Sequence, residues 1–169
     1  MTSFLRSLFI LLLILPLIAK VKAQTSVGMK SKMTTVTLRL KPKEDLKVTL
    51  EKFVKTNKIK AACIITCAGS LDVASIRFAN LSNATRVPGK LEIVSLTGTL
   101  AESGSHIHIS VSDSSGKTTG GHLQDGSLIY TTAEIVIGIL PDVEFSREAD
   151  PAYGYKELIV KPKPKSVSH

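Results

Sequence analysis

Tryptophan is absent from this chain, and aromatic residues make up only 5% of its 169 residues. That scarcity argues against nucleic-acid recognition by base stacking, which needs aromatic platforms. Cysteine is almost as rare. Its two copies, Cys63 and Cys67, fall in AACIITCAG, which reads as a buried strand. Four positions along a strand span about 13 Å, beyond disulfide reach. Two free, buried thiols acting as small hydrophobes are therefore expected, and a disulfide-stapled scaffold is excluded. After residue 23 no apolar run is long enough to cross a bilayer. No internal repeat or second domain is visible, so the core is that of one ordinary domain.

The charge is less informative than it looks. The formal net charge is +8, and Arg6, Lys20 and Lys22 contribute three of those charges from the first 23 residues, leaving +5 for the rest. Much of the remainder is local, in Lys41 to Lys60 and in the KPKPK tail. Such clusters read as a solvated lysine-rich face.

The first residues form a leader. Arg6 supplies a basic start, Leu8 to Ile18 is an almost unbroken apolar run, and Val21-Lys22-Ala23 places small residues before Gln24. This is the pattern of a secretory signal peptide over residues 1–23, with an uncleaved signal anchor as the alternative. Secretory or extracellular localisation follows as the expectation. Asn80-Leu81-Ser82 and Asn83-Ala84-Thr85 are glycosylation sequons in a polar stretch, consistent with a surface loop, which makes Asn80 and Asn83 candidate modification sites.

Residues 24–33 are small and polar and read as a disordered linker. Thr34 to Leu40 alternates as a strand, with Val36, Leu38 and Leu40 on one face. Pro42 to Asp45 opens a helix through acidic residues placed in its first turn. Leu46, Leu50, Phe53 and Val54 then form an apolar stripe ending near Asn57. Further strands are expected over Ile59–Ala68, closed by Gly69, and over Leu71–Phe78. Val87-Pro88-Gly89 reads as a turn into a strand over Lys90–Leu100, with Gly98 as a bulge. Another long strand follows over Ser127–Leu140, and a short one over Lys156–Val160. Tyr153-Gly154-Tyr155 reads as a turn with one buried ring, and residues 161–169 as a basic disordered tail. Many strands and one main amphipathic helix predict an α+β fold with a largely antiparallel sheet.

Chemistry concentrates between Gly104 and His122, GSHIHISVSDSSGKTTGGH, which holds three of the four histidines. His106 and His108 alternate with Ile107 and Ile109, so both imidazoles project from the same strand face. Asp113-Ser114-Ser115-Gly116 is a turn signal. With a three-residue loop, Ser114 to Gly116, and Gly116 left-handed, Asp113 faces Lys117 and His108 stands opposite His122. A one-residue slip would send His122 to the other face. Three neutral imidazoles suit zinc, copper, iron or nickel, with a fourth position open.

Taken in order and spacing, these pieces carry a family resemblance over residues 34–160. The matching segments are LKPKEDL (40–46), AGSL (68–71), RFAN (77–80), EIVSLTGTL (92–100), GSHIHIS (104–110), GGHL (120–123), TTAE (131–134) and FSRE (145–148). Together they make the chain similar to the PPC domain, the plant and prokaryote module found alone or fused behind AT-hooks. The resemblance implies a homotrimer of α+β subunits and a metal, usually zinc, at His106, His108 and His122. In plant members the AT-hook contacts DNA and the PPC module mediates assembly. This chain has no Arg-Gly-Arg-Pro core, and KPKPK lacks minor-groove arginines, so DNA binding is not expected.

Two functions follow from different classes. One is a non-enzymatic trimeric module binding a metal and a small ligand, or serving assembly. The other is a metal-dependent hydrolase or lyase with Glu134 as general base and Arg77 as an anion-binding ligand residue. An open cleft with Glu134 in reach of the histidines would favour catalysis.

Overall fold

The computed structural model describes residues 28–152 and 154–164. Residues 1–27 (the expected leader among them), Tyr153 and the last five residues lie outside them. In chain order the elements are β1 (Thr34–Leu40), α1 (Leu46–Thr56), β2 (Ala62–Arg77), β3 (Thr85–Ala101), β4 (Gly104–Ser112), β5 (Thr118–Leu123), β6 (Leu128–Ile139), β7 (Val143–Ala149) and β8 (Lys156–Pro162). The expected α+β class with an antiparallel sheet is observed, with one helix among the described residues. That helix is not long and apolar enough to cross a membrane.

Six strands form one sheet in the order β1-β6-β2-β3-β4-β5. The far end of β2 also pairs with β5, through Ile76↔Leu123 and Arg77↔His122, so β2 to β5 close on themselves. This closure removes an edge from the sheet. It also brings β2 beside the histidine hairpin.

The helix begins where its cap is. Asp45 stands in extended geometry and its carboxylate accepts from the Val48 amide at 3.1 Å. No acidic residue lies inside the first turn; the expectation of macrodipole pairing there is replaced by Asp45 acting as the N-cap. The predicted stripe holds: Leu46, Leu50 and Val54 are fully buried and Phe53 packs against them. They meet Leu100, Ile109, Ile129, Ile135 and Ile137, all at most 2% exposed, in one continuous core. At about 25 cal/mol per Å² of apolar surface, this burial is the main term holding the helix on the sheet.

In the main sheet two strand assignments and one bulge position differ from the sequence reading. Ile59–Ala68 and Leu71–Phe78 are one strand, β2, which runs through Gly69 with register shifts at Ile64/Thr66, Gly69/Leu71 and Leu71/Val73. Gly69 continues the strand because β6 crosses there closely: a Cβ would lie 2.2 Å from the Thr132 carbonyl oxygen. Val87-Pro88-Gly89 is likewise inside β3, with Pro88 opposite Val73 at a β2 irregularity. A proline without an N–H is tolerated at such a place. The irregularity between β3 and β4 falls at Ile93/Ser95, not at Gly98.

The cysteines are free, as expected, but half-buried, not buried. One face of this part of β2 is open, with Ile65 47% exposed. Residues 28–33 have no regular secondary structure, yet Ser31 and Lys32 are bonded to the Asp142 carboxylate. Beyond Pro141 lies β7, which the sequence reading missed. It pairs with β8, and that pairing reaches Lys161 and Pro162, into the expected tail. The connecting turn is closed by the Asp150 amide donating to the Tyr155 carbonyl, and Tyr155 is exposed; the other ring of the expected turn, Tyr153, lies outside the described residues.

Candidate metal centre and adjoining cavity

The hairpin β4–β5 is built by local chemistry. Asp113 Oδ1 accepts from the Ser115 and Lys117 amides, and the Asp113 amide donates to the Lys117 carbonyl at 3.0 Å. Gly116 takes φ of 81°, the left-handed geometry a three-residue loop needs. This fixes the register Ser112↔Thr118 through His108↔His122. Because Ile107 and Ile109 are 3% and 2% exposed and face the core, His106 and His108 face outward together.

The three imidazoles converge as the register requires. His122 Nδ1 lies 3.1 Å from His106 Nε2 and 3.2 Å from His108 Nε2. One ring nitrogen from each residue falls within 4.8 Å of the others. Two nitrogens on a tetrahedral zinc, each at about 2.0–2.1 Å, stand roughly 3.3 Å apart. The His122 contacts are close to that spacing, so the donor set fits a transition-metal ion.

Protonation favours the same use. Burial, followed by the charges of Arg147 and then His108 and Arg77, outweighs the opposing pull of Glu157 and holds His106 below the ordinary imidazole range. Burial and then Arg77 do the same for His122. Imidazoles kept neutral are free to act as ligands.

A backbone contact behind the cluster sets its position. Gly98 of β3 pairs with Ile107 of β4. A Cβ at Gly98 would meet the His106 carbonyl oxygen at 2.2 Å and Ile107 Cα at 2.8 Å. Glycine here lets β4 lie against β3 without displacing the strand that carries two of the histidines.

Beside the cluster is a cavity of about 950 Å³, whose walls include His106, His122, Arg77, Arg147, Lys156 and Glu157. Arg77 reaches it because β2 closes onto β5 opposite His122; its Nη1 donates to the Leu81 carbonyl at 3.2 Å. Arg147 comes from β7, where its Nη2 donates to Thr99 Oγ1 at 2.8 Å, and Thr99 pairs with His106. Arg147 lies in the FSRE segment, but nothing local in that segment indicates where β7 docks. Asn80 sits on the cavity rim, and both Asn80 and Asn83 are exposed on the β2–β3 loop.

Glu134 is elsewhere. It is exposed on β6 between Arg39 and Ala68. Ala68 is nine positions along β2 from Arg77, roughly 30 Å of strand. Cys63 and Cys67 are not in the histidine cluster. Burial pushes the Cys67 thiol up to about 11, as befits a packing residue.

Among the described residues, the fold and the histidine hairpin define a small, mostly antiparallel β-domain with one helix and a three-histidine face. The chain belongs to the family of the Plants and Prokaryotes Conserved (PCC) domain, whose model matches residues 27–141. It is 44% identical over 125 and 124 residues to the bifunctional protein GlmU of two Synechococcus strains, JA-2-3B'a(2-13) and JA-3-3Ab. Those alignments cover 74% and 73% of this chain, which spans only 20% of the length of these curated relatives. Among solved structures, a hypothetical protein from Salmonella matches with a TM-score of 0.79 and 38% identity, over 80% of this chain and 99% of that one. A plant- and prokaryote-conserved (PPC) protein from Pyrococcus horikoshii matches with a TM-score of 0.65 and 26% identity, over 78% and 95% of the two chains.

Proposed function

We propose that this chain is a non-enzymatic PCC module that binds a divalent transition metal and a small ligand, assembles as a homotrimer and enters the secretory pathway. The observation that carries the metal reading is the convergence of His106, His108 and His122 on one point. Zinc is the first choice of ion, since an all-imidazole set suits its tetrahedral preference. With three protein ligands, such a centre keeps a position for a ligand entering from the cavity. A hydrolytic reading needs a base beside that position, and Glu134, the residue the sequence offered for it, stands on β6 away from the cavity walls. Assembly is supported by the family resemblance and by apolar side chains left outward on the sheet, Ile65 at 47% and Val94 at 59% exposure. The leader pattern of residues 1–23 supports secretion.

His108→Ala tests the metal reading. His108 is exposed, so the fold is expected to remain and the metal to be lost. Full metal occupancy in the folded variant, measured by mass spectrometry of the purified protein, would overturn it.

A further inference from the structure

We propose that the cavity beside the histidines takes a small organic oxyanion, bearing a carboxylate or phosphate, gripped by the guanidinium groups of Arg77 and Arg147. This deepens the small-ligand part of the reading above and does not require the metal itself.

The two arginines come from distant parts of the chain, β2 and β7, and flank the histidines from two sides. Each spends one donor on a neutral oxygen: Arg77 Nη1 on the Leu81 carbonyl and Arg147 Nη2 on Thr99 Oγ1. These bonds orient the planar guanidinium groups and leave the remaining N–H donors for another partner. Among the described residues no carboxylate forms an ion pair with either one; the five ion pairs are all made by lysines. Of the other charged groups on the walls, Lys47 is occupied by Glu51 and Asp125, while Lys156 adds a positive charge and Glu157 a negative one. Positive charge is therefore in excess. A concave site with such an excess concentrates anions, and arginine forks match carboxylate and phosphate oxygens in pairs.

Size sets the ligand class further. At about 950 Å³ the cavity is far larger than an inorganic ion and lies within the range of small-molecule sites. The exposed side chains of Leu81 and Tyr155 supply apolar wall for the rest of such a molecule.

The test uses the full-length protein as purified and after metal stripping, titrated calorimetrically with malonate and with inorganic phosphate. Wild type is expected to bind at least one of these probes. Arg77→Gln and Arg147→Gln should each weaken that binding tenfold or more, while Arg→Lys at either position restores part of it; circular dichroism checks that each variant is folded. Which probe binds identifies the headgroup. Binding of neither probe by wild type, or unchanged binding in both folded glutamine variants, would overturn the proposal. Metal content, measured separately in the same samples, shows whether the histidine site has failed independently.

Discussion

Replacing Gly98 with alanine should damage the histidine face from behind, without touching an imidazole. The added Cβ would sit 2.2 Å from the His106 carbonyl oxygen and 3.0 Å from its carbon, where ordinary van der Waals contact begins at 3.4 Å. All the colliding atoms are backbone, so no flexible side chain can move aside. Strands β3 and β4 must part by about 1 Å, at the cost of ladder bonds around Thr97 and Thr99. Overpacking of this kind costs about 1–3 kcal/mol. With a urea slope of about 1–3 kcal/mol per molar for a small domain, the unfolding midpoint should fall by about 1 M. The ligand geometry suffers more, because coordination distances hold only within about 0.2 Å. Zinc affinity should therefore fall by at least about tenfold, as when a supporting contact of a metal site is lost. Gly28→Ala is the control, since nothing lies within 4 Å of its Cβ position. Unchanged urea midpoint and metal affinity in Gly98→Ala would show that Gly98 does not set the position of β4.

Other outcomes follow from single contacts. Asp45→Ala removes the helix cap on Val48 and also the partner of the Gly126 amide at 2.6 Å. A loss of about 2 kcal/mol is expected by urea denaturation, and a loss below about 0.5 kcal/mol would contradict the capping role. In the metal-free protein, His106 and His122 have folded values below the unfolded one near 6.5. The unfolded chain then binds more protons between those values, so stability falls as pH drops from about 6.5 through the depressed folded values, and is flat above. Urea midpoints measured over about pH 5–8 should show this dependence, and His106→Asn/His122→Asn should remove it.

What was legible in the sequence was what local chemistry dictates. Asp113 and Gly116 specify the loop, the loop specifies the register, and the register places His108 opposite His122. The helix stripe of Leu46, Leu50 and Val54 was equally plain from its spacing. Errors arose where a residue's role is set by a distant strand. Gly69 looks like a strand end, yet it serves the close crossing of β6, and Pro88 looks like a turn but rests opposite an irregularity in β2. The strand β7 lacks clean alternation, being largely half-buried along its length. Its docking, which brings Arg147 to Thr99 beside His106, depends on the packing of β7–β8 against β3 and has no local signature. The TTAE motif points to Glu134, but the sheet order puts it with Arg39 on the opposite side of β2.

The metal content per chain of the purified protein, together with its mass in solution, decides whether the three histidines hold an ion in a trimer. About one transition-metal ion per chain is expected in a particle of three chains, with zinc restored to that level after stripping. A folded protein that holds no metal, and takes up none when zinc is supplied, would contradict it.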